Sequence, residues 1–309
     1  MGHYSIRDLE RLTGIKAHTI RIWEKRYGLI EPERTITNIR AYCDAELKKL
    51  LNISILNKNG FKISKIANLS HEEITQNINK LTEKPTDTES YLENLAISMI
   101  DLDEQKFEKI LSHAILQFGF EDTIIRIINP FFIRIGLMWQ TGSIYPAQEH
   151  FVSNLIRQKI LVAIDSQMPG DSRFTKTFTL FLPEGELHEL SLLFSSYMLR
   201  KRGHRVIYLG PSVPLNDLVE IEKIKPSHYL LTAFITAISH KKLTEYLNKL
   251  SQYFPEKTIY ISGEQVLSYS DKLPKNIKYL SSPQNLVSEL DYITTYQIEN
   301  SSASHYTVH

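Results

Sequence analysis

Four short apolar runs, at 178–182, 205–209, 228–232 and 257–261, alternate with stretches of helical periodicity around 189–202, 215–224 and 239–252. No other feature narrows the fold so far. Strands separated by helix-length segments cannot close as hairpins, so they pair in parallel, with crossover helices covering both faces of the sheet. Ligands of such doubly wound sheets bind beyond the carboxyl ends of the strands. The loops at 183–190, 210–214 and 262–265 are therefore where a site is expected.

The preceding half of the chain lacks this alternation. From about 91 to 166 it reads as helix throughout, with Phe107, Ile110, Leu111, Ala114, Ile115 and Phe118 at i, i+3, i+4, i+7 spacing. The apolar stretch from Ile124 to Trp139 is interrupted or entered at Pro130, and Pro146 suits a first helical turn. Val152, Ile156, Ile160 and Ala163 then give a further helix its buried face. Four such helices make a small bundle. Residues 82–90 are polar, contain a proline and have no apolar member, which marks a linker. The expected organisation is an N-terminal unit over 1–75, a linker over 76–90, a helical bundle over 91–168, an α/β unit over 175–297 and a tail over 298–309.

Composition excludes several classes. The chain has 309 residues, which fits about two domains of roughly 150. Its single cysteine, Cys43, permits no intrachain disulfide and no cysteine-based zinc site, as suits a reducing cytoplasm. No stretch approaches the ~18 apolar residues of a membrane span, and the polar, charged Met1–Glu10 is no signal-peptide core. The net charge of +1 hides an asymmetry: residues 1–70 hold 13 Lys/Arg and 7 Asp/Glu, whereas 71–309 hold 23 and 28. A basic front on an acidic remainder points to a polyanion partner for the front alone.

That front opens with Ser5-Ile6-Arg7-Asp8, a capping-box-like start, followed by Ile6, Leu9 and Leu12 at helical spacing until Thr13-Gly14. A second short helix runs from about Ala17 to Arg26, with Ile20 and Trp23 on one side. Two short helices joined by a glycine-containing turn form a helix-turn-helix pattern. Gly28 and Pro32 then favour a turn or short two-stranded wing carrying Arg34 and Arg40. Asp44 is expected to cap the next helix, over 45–57, and Asn59-Gly60 to stop it. Helix two offers Lys16, His18, Thr19, Arg21, Lys25 and Arg26, enough to meet phosphates and base edges.

Tyr4-Ser5-Ile6, Leu12-Thr13-Gly14-Ile15, Thr19-Ile20-Arg21-Ile22-Trp23-Glu24, Tyr27-Gly28-Leu29-Ile30 and Asn38-Ile39-Arg40-Ala41-Tyr42 together resemble the MerR family of transcription regulators. The match covers about 70 residues. It implies double-stranded operator DNA as partner, with Arg21, Tyr27, Arg40 and Tyr42 at positions that hold or flank backbone contacts.

After the first α/β strand comes Glu186-Leu187-His188-Glu189-Leu190-Ser191. It resembles the D/E-x-H-x-x-G signature of cobalamin-binding domains, a Rossmann-like fold, with Ser191 in place of the glycine. The resemblance implies that His188 ligates cobalt from the lower face. Neutral imidazole suits cobalt, and a carboxylate two residues earlier can accept its other N–H. Thr232 corresponds to the family's strand-end serine, and Ser262-Gly263 to its paired glycines, so two glycines have become serine. Gly203, His204, Val206, Leu209-Gly210 and Val213-Pro214 keep the remaining pattern.

In the bundle, Trp139 followed by Glu149 and His150 resembles the W…E-H motif of light-sensing cobalamin repressors of the CarH and LitR type. There the tryptophan covers the adenosyl face and the Glu and His sit close to it. In that type a histidine beside the tryptophan takes the upper cobalt position after light breaks the Co–C bond. Here the neighbour is Gln140, a poor cobalt ligand, so the resemblance does not carry over a two-histidine light state. What it implies is a cytoplasmic homo-oligomer, dimer or tetramer, repressing transcription under control of adenosylcobalamin or another cobalamin. Two other readings stay open: a cofactor-free regulator whose back domains serve oligomerisation or bind a protein antirepressor, and a corrinoid methyl carrier. Neither a nucleophile–base pair nor a phosphate-binding loop is present to argue for an enzyme.

Overall fold

The computed structural model describes residues 4–290 apart from 35–39, 59, 71, 75, 78–86, 141–143, 169–174 and 268–272. Asn38, Ile39, most of the expected linker and the tail lie outside the described residues, as do the side chains of Trp139, Gln140 and Asp44. Two compact units result, Met1–Ile156 and Arg157–His309.

In the first unit, α1 (Ile6–Thr13) starts with a complete capping box: Ser5 N–H donates to Asp8 Oδ2 at 2.8 Å and Asp8 N–H to Ser5 Oγ at 3.3 Å. Gly14, at φ +71°, ends it in the left-handed conformation. Helix α2 (Ala17–Tyr27) follows, burying Ile20 and Trp23. The expected wing is the antiparallel pair β1 (Glu33–Arg34) and β2 (Arg40–Ala41). Helix α3 (Asp44–Lys58) begins at Asp44, so the cap falls one residue earlier than expected: Cys43 N–H donates to Glu46 Oε2 at 2.8 Å. A short α4 (Ile63–Ile66) follows.

Asp87 caps α5 (Thr88–Ile100) by accepting from Ser90 N–H at 2.8 Å, so the last three residues of the expected linker are helix. Their polarity misled because this helix makes polar contacts with α3. Its Glu93, fully buried, accepts from Ser54 Oγ at 3.0 Å and Lys58 Nζ at 2.8 Å, while Lys48 pairs with Asp101 at 2.6 Å. Helices α6 (Glu104–Phe118), α7 (Phe120–Thr123) and α8 (Asn129–Gln140) continue the bundle, followed by α9 (Pro146–Asp165). A π turn at Ile124–Ile128 joins α7 to α8. Pro130 therefore does not break the rod; the missing N–H falls where the ladder has already widened.

The second unit is a five-stranded parallel sheet in the order β4-β3-β5-β6-β7, with β3 (Thr177–Pro183), β4 (Arg205–Val213), β5 (Tyr229–Ala233), β6 (Thr258–Ser262) and β7 (Ile277–Tyr279). Strand β7 escaped the sequence reading because three residues carry no period. Strand β4 runs on through 210–213, expected as loop, because Gly210 at φ +82° accommodates a register shift against β3. The crossovers place α10 (Leu190–Lys201) on one face and α11 (Leu215–Ile224) and α12 (His240–Tyr253) on the other. Phe181, Leu230, Ile259 and Ile261 pack with Leu218, Leu243, Leu247 and Leu250 on the latter face. At the amino ends of the strands, Glu222 is buried among Thr179, Ser227 and Lys257, whose Nζ lies 2.6 Å from Oε2. The carboxyl ends carry the polar loops.

One close approach fixes two of those loops. Gly263 sits at φ +105°, and a Cβ there would lie 2.1 Å from the Phe234 carbonyl oxygen, whose own N–H donates to Ser262 O at 2.9 Å. Gly263→Ala should cost about 2 kcal/mol or more, seen as a lowered thermal midpoint of the sheet unit.

Candidate functional site

In the first unit, α2 turns Ile20 and Trp23 inward, which leaves Lys16, His18, Arg21, Lys25 and Arg26 exposed and Thr19 half-buried. Lys16 pairs with Glu10 at 3.3 Å, and the Arg26 guanidinium lies 5.4 Å from the Tyr27 ring centroid. On the wing, Arg34 is exposed, while Arg40 Nε donates to both Glu24 oxygens, at 3.1 and 3.2 Å. Tyr42 differs from its expected place. It is fully buried, its backbone bridges to Tyr4, and its hydroxyl donates to Glu24 Oε2 at 3.3 Å. Burial, then the Glu24 charge, pushes its pKa up to about 12. Tyr42 holds Glu24, and through it Arg40. The result is a two-element cationic surface, helix plus wing, on an apolar base of Leu9, Leu12, Ile20 and Leu47.

In the bundle, Trp139 is the penultimate residue of α8, and Glu149 and His150 lie in the first turns of α9, half-buried and exposed respectively. A carboxylate in a first turn is favoured by the helix dipole.

In the second unit the loop after β3 is organised around Glu186, which is 5% exposed. Its Oε1 accepts from Leu187 N–H at 3.0 Å, His188 N–H at 3.1 Å, Thr236 Oγ1 at 3.0 Å and the His188 ring at 2.7 Å. Its Oε2 accepts from Ile235 N–H at 2.8 Å and Thr236 N–H at 2.6 Å. Burial alone would raise the carboxyl pKa, but the N–H groups of Thr236, His188 and Ile235 and the His188 ring outweigh it and hold it at about 2. An ionised carboxylate only accepts, so His188 Nδ1 carries a proton, which in the neutral ring leaves the lone pair on Nε2. The histidine side chain is 56% exposed. A neutral imidazole, held by one nitrogen and open at the other, is the donor chemistry a cobalt ligand needs, and on this test the pair fits.

A third loop joins them. Ser212, at φ +55°, accepts from Gly185 N–H at 3.1 Å through Oγ and donates its own N–H to the Glu186 carbonyl at 3.1 Å. Beside these loops opens a cleft of about 970 Å³, lined by Glu184, Glu186, Asn216, Thr236 and Tyr246 among others. Glu189 accepts from Tyr208 Oη at 2.8 Å and pairs with Arg157 at 2.7 Å. Sequence reasoning missed Thr236 and Ser212. A threonine after an apolar strand and a serine near its end carry no local signal, and only the loop after β5 reveals the first.

Thr232 lies near the end of β5. It alternates with Leu230 and so faces α11 and α12, fully buried, its hydroxyl without a partner among the described residues. The residue facing the α10 side at that strand end is Ala233, so Thr232 and Ser191, the first-turn residue of α10, do not share a face. Gly263 approaches the Phe234 backbone of its own domain, which accounts for the glycine without a ligand.

A winged helix-turn-helix with a cationic face, a helical bundle and a parallel sheet with a Glu-x-His loop define a DNA-binding transcriptional regulator that carries a B12-binding domain. Residues 4–73 match the MerR HTH family of regulatory proteins and residues 91–163 the B12 binding domain. The chain is 25% identical over 274 residues to the HTH-type transcriptional repressor CarH of Myxococcus xanthus, covering 86% of this chain and 90% of that protein. It is 27% identical over 211 residues to the repressor CarA of the same organism, 68% of each chain. The monomethylamine corrinoid protein of Methanosarcina barkeri shares the fold at a TM-score of 0.54 and 14% identity, over 67% of this chain and 100% of that one. Among the described residues no helix is long and apolar enough to cross a membrane.

The depressed Glu186 pKa gives a pH test. Its contribution to stability is full above pH 4.5 and is lost as pH falls from there toward 2. Glu186→Gln should cost on the order of 3 kcal/mol at pH 7, and its melting temperature should converge on that of wild type as pH is lowered through that window.

Proposed function

We propose that this chain is a repressor whose assembly and affinity for operator DNA are set by a cobalamin, with adenosylcobalamin the form its residues suit. The observation that carries this reading is the Glu186–His188 pair: a buried carboxylate fixed by five other donors accepts the Nδ1 of one exposed imidazole and so orients that ring. Bound adenosylcobalamin would supply a cobalt centre open to a lower nitrogen ligand and a cobalt–carbon bond that light can break. His188 would hold it through Nε2. Glu149 and His150 of the bundle, with Trp139 by its sequence position, and Ser191, Ser262 and Gly263 of the sheet unit are the further residues assigned to holding it. An oligomeric state, dimer or tetramer, whose residues hold the cofactor better gains population, and DNA affinity follows that state by linkage. Gln140 lacks the imidazole that would fix a light-adapted state.

On the DNA side, α2 and the wing would engage the operator, with Arg21, Arg26, Arg34 and Lys16 on phosphates and His18, Thr19 and Tyr27 beside the groove. Arg21→Ala should weaken binding about uniformly across sequences and reduce the slope of log affinity against log salt by about one, measured by fluorescence anisotropy.

A second reading, a cofactor-free regulator serving oligomerisation or an antirepressor, is favoured by Thr232 facing away from α10 and by Gly263 packing on Phe234. Absorbance spectra separate the two. Wild-type protein incubated with adenosylcobalamin in the dark and desalted should retain the chromophore in a base-off, histidine-on form that His188→Ala alters or loses. A colourless wild type would leave the cofactor-free regulator. Repeating the spectra after illumination tests the light response.

A further inference from the structure

Among the exposed side chains of α2, one is out of character. Ile22 is 51% exposed, yet its neighbours on that surface are basic or polar. At about 100° per residue, His18, Ile22 and Lys25 lie within about 60° of one another, away from buried Ile20, with Arg21 and Arg26 flanking them on either side. A basic face that only gripped phosphates would gain nothing from a β-branched apolar side chain at its middle. The first unit's core does not use it either, since that core is closed by Ile20, Trp23, Leu29 and Ile30.

We propose that Ile22 is a specificity-determining residue that reads the 5-methyl group of a thymine in the major groove of the operator. The inference rests on the DNA-binding reading and deepens it. The major groove admits an α-helix, and thymine alone among the four bases presents a methyl group there. With Arg21 and Arg26 flanking, phosphate contacts on the two sides would seat the helix with its middle toward the base edges. Ile22 offers no hydrogen bond, so apolar contact is the one readout open to it. His18 and Lys25, one turn away on either side, have the donors to read the neighbouring bases.

The test removes the methyl and the isoleucine separately. An operator is first selected from random duplexes with the full-length wild-type protein. Each thymine is then replaced singly by uracil, which deletes only the methyl group. At one position the replacement should weaken wild type about five-fold, the low end of what one base pair is worth in such sites. Ile22→Ala should bind the thymine and uracil duplexes equally at that position, with its salt dependence unchanged. Ile22 is exposed and alanine favours helix, so the variant should keep its thermal midpoint. If uracil costs Ile22→Ala as much as wild type at every position, the proposal is overturned while DNA binding stands. If wild type selects no sequence at all, the DNA-binding reading falls and takes the proposal with it.

Discussion

The Glu186 carboxylate is the interaction on which the sheet unit of this molecule turns. It reaches from the loop after β3 to the backbone of Ile235 and Thr236 after β5, and the carbonyl of the same residue receives Ser212 from β4. Three neighbouring strands thus end on one residue. A buried carboxylate with unmade hydrogen bonds would be costly; one with six donors is ionised, immobile and able to orient the His188 ring. The reversal of crossover direction between β4 and β5 about β3 is what opens the crevice there.

The DNA-binding half is built on a different economy. Its short helices cannot be stable alone, and they are held by caps, by the apolar contacts of Ile20, Trp23, Leu9 and Leu47, and by α5. Glu93 on that helix is buried against Ser54 and Lys58, and burial, the largest influence, pushes its pKa up, with Lys58 and Ser54 opposing. Ser54 also donates to the Thr13 carbonyl at the helix-turn-helix turn, at 3.3 Å. One polar chain thereby links α1, α3 and α5 while α2 stays free on its outer face.

Four local motifs agree closely between sequence and structure. The Ser5–Asp8 capping box, the Gly14 turn, Pro146 at a first turn and the Glu186–His188 spacing each involve residues a few positions apart, so the chain's own geometry brings them together. The disagreements share the opposite character. Tyr42 was expected at the DNA surface, but its pairing with Tyr4, from the far end of the same domain, draws its ring into the core. The face on which Thr232 is buried depends likewise on the strand's register, since a one-residue difference moves a side chain to the other face.

By itself, then, the sequence determined the period of each segment, the order of helical and α/β segments, the basic front and the motifs that place His188 on a loop beyond a strand. These follow from spacing, charge and turn chemistry, which act over a few residues. Only the tertiary structure decided that Ile235 and Thr236 complete the Glu186 site, that Gly263 is needed by Phe234, and that Ile22 stands exposed on a basic face. Those outcomes depend on which strands lie side by side and which helix face meets the core, and parallel pairing joins residues some fifty positions apart that no local pattern connects.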